Sequence, residues 1–509
     1  MARREHDCEW KERHESLALE HTRLASAHTE LVTQHQSLAD ALTALQHDMA
    51  KLKRQVLGPK SEKMPRVADE LKQGTTRDPE EAKRARQARA ATRKAKLQTK
   101  TTFHAVPKAQ RQCPECGSSN LKPLGTGKES VVYEYVPAHF IAHKHVRETL
   151  ACSCGGHVVT AEGPPKWVEK SQYAPSFVAS VITSKCADST PLYRLEKELA
   201  RIGVPVARST LGDLFHRAAQ HLGPLVHRME QLVREALIVR ADETSKRVMA
   251  EKKCHTGFIW TFRTRLPKPL IVYRFAASRS GETPREVLGG TRGYLVVDAY
   301  SGYNDVVGVD GRTRVGCHAH VRRYFFEAKD AAPEASFKAL DFILGLYRVE
   351  HDARSRGILG TAEHLDLRKT RSAAIRTAMH AWLKTERPKH APKSPMGVAI
   401  RYALNQWDAL GTFLENPNVP LDNNESESAL RRVALGRKNF LFVGNKTAGE
   451  NLAGLYSLVA SCEANDINPV DYLTDVLSRL NDHPNSRLDE LLPHLWRGPP
   501  GANASLNLN

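Results

Sequence analysis

Leucines recur every seven residues near the start of the chain, at Leu17, Leu24, Leu31, Leu38, Leu45 and Leu52, with Trp10 one step earlier. A seven-residue apolar period predicts a coiled-coil helix with these residues at d. The a positions hold His14, His21, His28 and His35, then Leu42, Met49 and Val56. Histidines in the seam weaken its N-terminal half, most of all when protonated. The pattern predicts self-association through a parallel zipper, as a dimer or higher. A long amphipathic helix packed on its own chain is the alternative. Gly58-Pro59 stops the helix.

Beyond the zipper the periodicity changes by segment. Residues 59–105 read as a basic linker, 106–165 as a small β-rich, cysteine-bearing module, and 166–235 as helical with a break at Gly203-Val204-Pro205. Residues 236–325 alternate short strands with turns, the strands falling at 258–263, 270–275 and 294–298. Residues 318–420 are mainly helical, and 446–490 form a last helical segment. The expected fold is therefore multidomain α+β: a coiled coil (1–58), linker (59–105), zinc-binding module (106–165), helix-turn-helix-like region (166–235), α/β core (236–445) and helical C-terminal region (446–509).

Two apolar runs end on aspartate. Ala236-Leu237-Ile238-Val239-Arg240-Ala241 leads into Asp242, and Gly293-Tyr294-Leu295-Val296-Val297 leads into Asp298. A carboxylate at the end of a buried strand is costly unless a cation sits there. Far downstream, Asp422-Asn423-Asn424-Glu425-Ser426-Glu427 opens a helix-like stretch. Two such strands side by side, joined by a helix-borne glutamate, could hold two divalent cations about 4 Å apart, as phosphodiester chemistry requires. Any one of these acids alone is weak evidence. The third gains force from Arg431, Arg432, Arg437 and Lys438 after it, followed by Phe440-Leu441-Phe442. Cations one to three turns from an acid-bound metal suit a site that also holds DNA phosphates. A solvated charged helix face is the plainer alternative, but it leaves the asparagine pair unexplained.

Cys113-Pro114-Glu115-Cys116-Gly117 is a zinc-knuckle half, and Cys152-Ser153-Cys154-Gly155 is its natural partner. Cys113, Cys116, Cys152 and Cys154 would hold one structural Zn²⁺. The second half is one residue short, so His143, His145 or His157 could replace a thiolate. Further on, a helix over 191–203 and a second over 206–215, separated by a glycine turn, resemble a helix-turn-helix. Its DNA-contact candidates are Arg194, Lys197 and Arg201 on the first helix, and Arg208, Ser209 and Thr210 at the start of the second. Core packing of an ordinary αα-hairpin is the alternative.

Charge changes the picture in one place. Lys and Arg number 75 against 57 Asp and Glu, a net +18. Residues 51–100 alone hold 16 Lys/Arg against 6 Asp/Glu, so ten of the excess charges lie in one tenth of the chain. Such an excess favours a polyanion partner, nucleic acid first. No run approaches 18 apolar residues, which argues against a transmembrane helix, and the N-terminus lacks a secretory h-region. Nine cysteines, four of them in two tight pairs, fit a reduced cytoplasmic protein with a metal site.

Taken together, these motifs resemble the transposases of the IS66 insertion-sequence family. The matching pieces are LKRQVLGPKSEK (52–63), Cys113 to Gly117, Pro191 to Arg194, ADET (241–244), VDAYSGY (297–303), CHAHVRR (317–323), DNNESESALRRVALGRKNFLF (422–442) and DHPNSRLDELLPHLW (482–496). The resemblance implies an RNase H-like core of the DDE type with a helical insertion at about 321–420. It puts the catalytic acids on Asp242, Asp298 and Glu427, with Glu427 rather than Glu425 matching the family's spacing. It implies two catalytic Mg²⁺, with Mn²⁺ as a substitute, and metal-dependent cleavage and transfer of DNA strands. The implied partners are the terminal inverted repeats, target DNA and accessory proteins of the same element, in a bacterial, nucleoid-associated setting. Cys317, His318 and His320 match a Cys/His motif that either binds metal or only braces the core, bracing being the preferred reading. Two residues depart from the family pattern: Arg432 stands where proline is usual, and Phe440 where tryptophan is. A non-catalytic zinc and zipper DNA-binding protein, or a nuclease without strand transfer, are the competing readings.

Overall fold

The computed structural model describes residues 13–38 (15 and 36 excepted), 84, 118, 140–151, 157–163, 166–169, 171–249 and 253–498. Contacts divide the chain into two compact units, residues 65–144 and the remainder. The basic linker, apart from Arg84, and the four knuckle cysteines lie outside the described residues, as do Leu45 and Leu52 of the heptad series. Residues 16–35 are helical, and Leu17, Leu24, Leu31 and Leu38 are 65–70% exposed. A short hairpin follows the knuckle region: β1 (Thr149–Ala151) pairs antiparallel with β2 (Val158–Thr160).

Four helices come next: α1 (Pro175–Cys186), α2 (Leu192–Arg201), α3 (Arg208–His221) and α4 (Gly223–Glu235). Proline in the first turn of α1 and of α4 sets φ where its missing N–H costs nothing. The turn between α2 and α3 passes through Gly203 at φ +85°, a left-handed conformation that glycine adopts without strain. Leu195 and Leu199 bury one face of α2, while Leu211, Leu214, Phe215 and Ala218 bury one face of α3.

The central sheet has five strands in the order β5-β4-β3-β6-β7. Long β3 (Ile238–Met249) pairs antiparallel with β4 (Cys254–Thr264), which pairs antiparallel with β5 (Ile271–Ala276). On its other side β3 runs parallel to β6 (Tyr294–Val296), and β6 runs parallel to β7 (Thr313–Val315). The fold is thus mixed α+β. Asp242 does not end its strand, as the apolar run suggests. β3 continues to Met249 because backbone pairing with β4, from Val239↔Thr264 to Met249↔Cys254, sustains it after burial has fallen away. A short helix, α5 (Glu282–Leu288), lies between β5 and β6. Gly293, at φ +121°, opens β6, and a Cβ there would meet Leu237 O at 2.3 Å.

Helices dominate the remainder: α6 (His318–Glu327), α7 (Pro333–Ser355), α8 (Ala362–Leu367), α9 (Ala373–Glu386), α10 (Pro395–Asn405), α11 (Asn424–Asn439), α12 (Lys446–Ala464) and α13 (Pro469–Arg479). One continuous apolar cluster runs from Trp167 through the sheet to Leu492, joining α1–α4, β3–β6 and α11–α13. A second cluster, including Phe325, Ile343, Met379, Leu383 and Ile400, belongs to α6, α7, α9 and α10. A third, with Ile238, Val296, Leu346, Phe413 and Leu421, ties that helical layer to the sheet.

Strand β5 lies at the sheet edge, where outward N–H groups need partners. Helix α12 supplies them. Ser457 Oγ accepts from Tyr273 N–H at 2.8 Å, and Ser461 Oγ accepts from Ile271 N–H at 2.9 Å. The helix comes this close because its facing residues are small; a Cβ on Gly449 would lie 2.7 Å from the Phe275 ring. Replacing Ser457 with alanine strands a buried backbone donor, so Ser457→Ala should destabilise the fold by about 1–3 kcal/mol in urea denaturation.

Candidate active site

Strand register brings the two aspartates level. β3 and β6 pair as Ile238↔Tyr294, Val239↔Leu295 and Arg240↔Val296, an offset of 56 residues that also separates Asp298 from Asp242. Neighbouring strands lie about 4.8 Å apart, so the two acids emerge side by side just beyond the last paired residues. Asp242 Oδ1 accepts the N–H of Glu243 at 2.9 Å, and Asp298 Oδ1 accepts the N–H of Tyr300 at 2.9 Å. Glu427 lies in the first turn of α11, where the helix dipole favours a negative charge.

The start of α11 is fastened to the sheet by a buried asparagine. Asn423 Nδ2–H donates to Ala241 O at 2.7 Å, one residue before Asp242, and Asn423 N–H donates to Cys317 Sγ at 3.3 Å. Beside it, His318 N–H donates to Leu421 O at 3.0 Å. Glu427 Oε1 then stands 3.7 Å from His320 Nδ1 on α6.

The charges of Glu427 and Asp298 both reach the Asp242 carboxyl. The Asp242 carboxyl is raised to about 7, first by burial, then by the charges of Glu243, Glu427 and Asp298; the Glu243 N–H works in the opposite direction. Half-buried carboxylates, with Asp242 raised in this way, are the kind of donor suited to hard divalent cations.

Neighbouring acids are already committed. Glu243, with only 2% of its side chain exposed, accepts from Arg279 Nε at 2.8 Å and from Tyr303 OH at 2.7 Å. Glu425 pairs with buried Arg240 and with Arg263 at 2.8 Å. Burial alone would raise the Glu425 carboxyl, but Arg240 and Arg263 outweigh it and hold it below the usual range. Asp422 accepts from Tyr347 OH at 2.8 Å. Nothing in the sequence marked Arg263, Arg279, Tyr303 or Tyr347 as partners of these acids, because each comes from a distant segment.

The basic candidates divide. Arg194, Lys197, Arg201, Arg208 and Ser209 are exposed, and Thr210 is half-buried. Arg431 and Lys438 are exposed on α11. Arg437 is half-buried and donates to Ser245 O at 3.1 Å and Ser245 Oγ at 2.9 Å. It lines a cleft of about 500 Å³ with Ser245, Arg247, Thr256 and Leu441. Arg432 instead bonds Cys186 O at 3.1 Å and pairs with Glu463, clamping α11 to α1 and α12. Phe440 serves as a platform for two cations, with Lys185 Nζ 4.3 Å and Lys246 Nζ 4.2 Å from its ring centroid.

The comparisons with known proteins define the class first. A profile described as Transposase IS66 family matches residues 170–451, the IS66 C-terminal element matches 457–494, and the zinc-finger binding domain of transposase IS66 matches 110–155. The chain belongs to the IS66 transposase family. Its relatives include three uncharacterized proteins of Sinorhizobium fredii. One, y4hP, is 30% identical over 91% of each chain. Another, y4qI, is 31% identical over 68% of this chain and 66% of its own. The third, y4jD, is 29% identical over 75% and 78%. The zinc-finger match spans Cys113, Cys116, Cys152 and Cys154 and supports zinc in that region. Among the described residues no helix is long and apolar enough to cross a membrane.

Lys246 offers a pH test of this neighbourhood. Burial, then Lys185 and Arg437, lowers its pKa from 10.5 to about 7. Between those values the unfolded chain holds a proton that the folded chain has shed, so stability rises with pH in that window and the penalty is constant below it. Wild type should therefore gain roughly 2–4 kcal/mol on Lys246→Met between pH 7 and pH 10 in urea denaturation. A pH-independent difference between the two would show that the ammonium is not desolvated.

Proposed function

We propose that this chain is a DDE transposase that cuts and joins DNA strands at the ends of an insertion element, with Asp242, Asp298 and Glu427 as its catalytic acids. The observation that carries this reading is the register of parallel β3 and β6, which sets Asp242 and Asp298 each two residues past the last pair, with Glu427 close enough to perturb Asp242. The mixed sheet order, with a long antiparallel hairpin beside short parallel strands, is in keeping with an RNase H-like core. The three acids would hold two Mg²⁺, or Mn²⁺ in their place. Such ions supply an activated attacking oxygen and stabilise the leaving one.

The chain's own residues do the rest. Asn423 fixes the spacing between α11 and β3, and so the reach of Glu427 toward Asp242. Arg240 and Arg263 hold Glu425 away from the acid group, leaving Glu427 as the helix-borne ligand. Arg437, with exposed Arg431 and Lys438, would hold backbone phosphates near the acids. On α2 and α3, Arg194, Lys197, Arg201, Arg208, Ser209 and Thr210 would read the terminal inverted repeats with the zinc-binding region. Replacing Asp298 with asparagine keeps the shape and removes the charge. Asp298→Asn should lower Mg²⁺-supported cleavage and strand transfer on DNA flanking the gene by at least a thousandfold. Cleavage that survives the change would sink the acid assignment, and a wild-type protein that binds ends without cutting them would favour a binding module.

Pairing of two ends would fall to the N-terminal helix, whose Leu17, Leu24, Leu31 and Leu38 are 65–70% exposed in the single chain. An exposed heptad ladder of this kind is a seam for a second copy. The double change Leu24→Asp with Leu31→Asp should convert a dimer or larger assembly to monomer in analytical ultracentrifugation. An unchanged sedimentation mass would assign the association elsewhere.

A further inference from the structure

At the start of α6 the Cys/His motif does not act as one unit. His318 turns into the core: its Nδ1 lies 3.0 Å from Leu421 O, and its ring packs edge-on to Phe413 at 5.4 Å. Held between that carbonyl and the Phe413 ring, His318 is 3% exposed and braces the core. Cys317 and His320 face the other way. One ligand atom from each of Cys317, His320 and Glu427 lies within 4.8 Å of the others. The Cys317 side chain is buried, with Sγ already accepting the Asn423 N–H at 3.3 Å. His320 Nδ1 is buried and makes no hydrogen bond among the described residues, although it stands 3.7 Å from Glu427 Oε1.

That donor set differs in kind from three carboxylates. A tetrahedral zinc with Zn–S about 2.3 Å and Zn–N or Zn–O about 2.0–2.2 Å needs ligand atoms roughly 3.3–3.7 Å apart. His320 Nδ1 and Glu427 Oε1, 3.7 Å apart, already meet that spacing; the other distances, none above 4.8 Å, have to contract by about 1 Å at most, and Glu427, 39% exposed along its side chain, has room to move. Thiolate and imidazole favour Zn²⁺ over Mg²⁺, which prefers oxygen. Three protein ligands leave a fourth position for water, the arrangement of an open zinc site. We propose that Cys317, His320 and Glu427 form a second zinc site, separate from the zinc-finger region and sharing Glu427 with the proposed catalytic acids. Occupied, it would draw Glu427 away from Asp242. That last consequence rests on the catalytic reading above; zinc binding itself does not.

The test is zinc content of the full-length protein, equilibrated with buffered free Zn²⁺ and measured by mass spectrometry. His320→Gln and Cys317→Ser should each bind one zinc per chain fewer than wild type, while Cys113→Ser with Cys116→Ser loses a different one. Serine at position 317 keeps an acceptor for the Asn423 N–H, so the variant is expected to fold. Cobalt gives a second readout. A chain with Cys113, Cys116, Cys152 and Cys154 all changed to serine should keep a thiolate-to-cobalt absorption band, and adding Cys317→Ser should abolish it. Equal zinc content in wild type and both α6 variants, or no such band, overturns the site. Neither readout requires cleavage, so an inactive protein would count against the catalytic reading and leave the zinc result standing.

Discussion

A single buried residue, Asn423, joins the three segments on which the site depends. Its amide donates to Ala241 O on β3, and its backbone N–H donates to Cys317 Sγ at the start of α6. The residue is 1% exposed, so both bonds are made away from competing water. Removing either would leave a buried polar group without its partner, the costly outcome for a hydrogen bond. The helix that carries Glu427 is therefore located by the strand that carries Asp242, across nearly two hundred residues of chain. A helix docked only by apolar contact could slide by a fraction of a turn; one pinned through the residue just before it cannot.

Around that junction the structure sorts its acids by whether a cation or a side-chain hydroxyl reaches them. Glu243 faces Arg279 and Tyr303, Glu425 faces Arg240 and Arg263, and Asp422 faces Tyr347. Each is a carboxylate whose charge is balanced or hydrogen-bonded within the fold. Asp242 is raised instead, by burial and by other acids. An acid held in that condition is poor structural material and good ligand material. The same logic separates the histidines of α6: His318 is satisfied by the core, while His320 Nδ1 faces Glu427 without a hydrogen bond.

Arg432 and Phe440, where the family resemblance led to an expectation of proline and tryptophan, also find physical roles. Arg432 clamps α11 to Cys186 O and Glu463, a bond that proline could not make. Phe440 keeps an aromatic face for Lys185 and Lys246. Both substitutions act on α11 and its exit, the element that presents Glu427, without touching the acids themselves.

The heptad leucines, the knuckle cysteines and the apolar runs before Asp242 and Asp298 are local patterns, so the sequence alone determined them: periodicity and spacing are written in consecutive residues. The preference for Glu427 over Glu425 came from the family resemblance of DNNESE, and the proposed function rests on it. What the sequence left open was everything that depends on register and long-range pairing. Strand β3 runs past Asp242 because β4 pairs with it, a fact of backbone hydrogen bonding that an apolar run does not encode. Glu425 is claimed by arginines from two strands, and only folding brings them to it. Whether Cys317 and His320 brace the core or face a ligand depends on which way side chains one and three residues apart turn on the first turn of a helix. The helix start is set by Asn423 and Leu421 from the far end of the chain. Tertiary structure decided these points because their energies lie in contacts between segments that no local pattern connects.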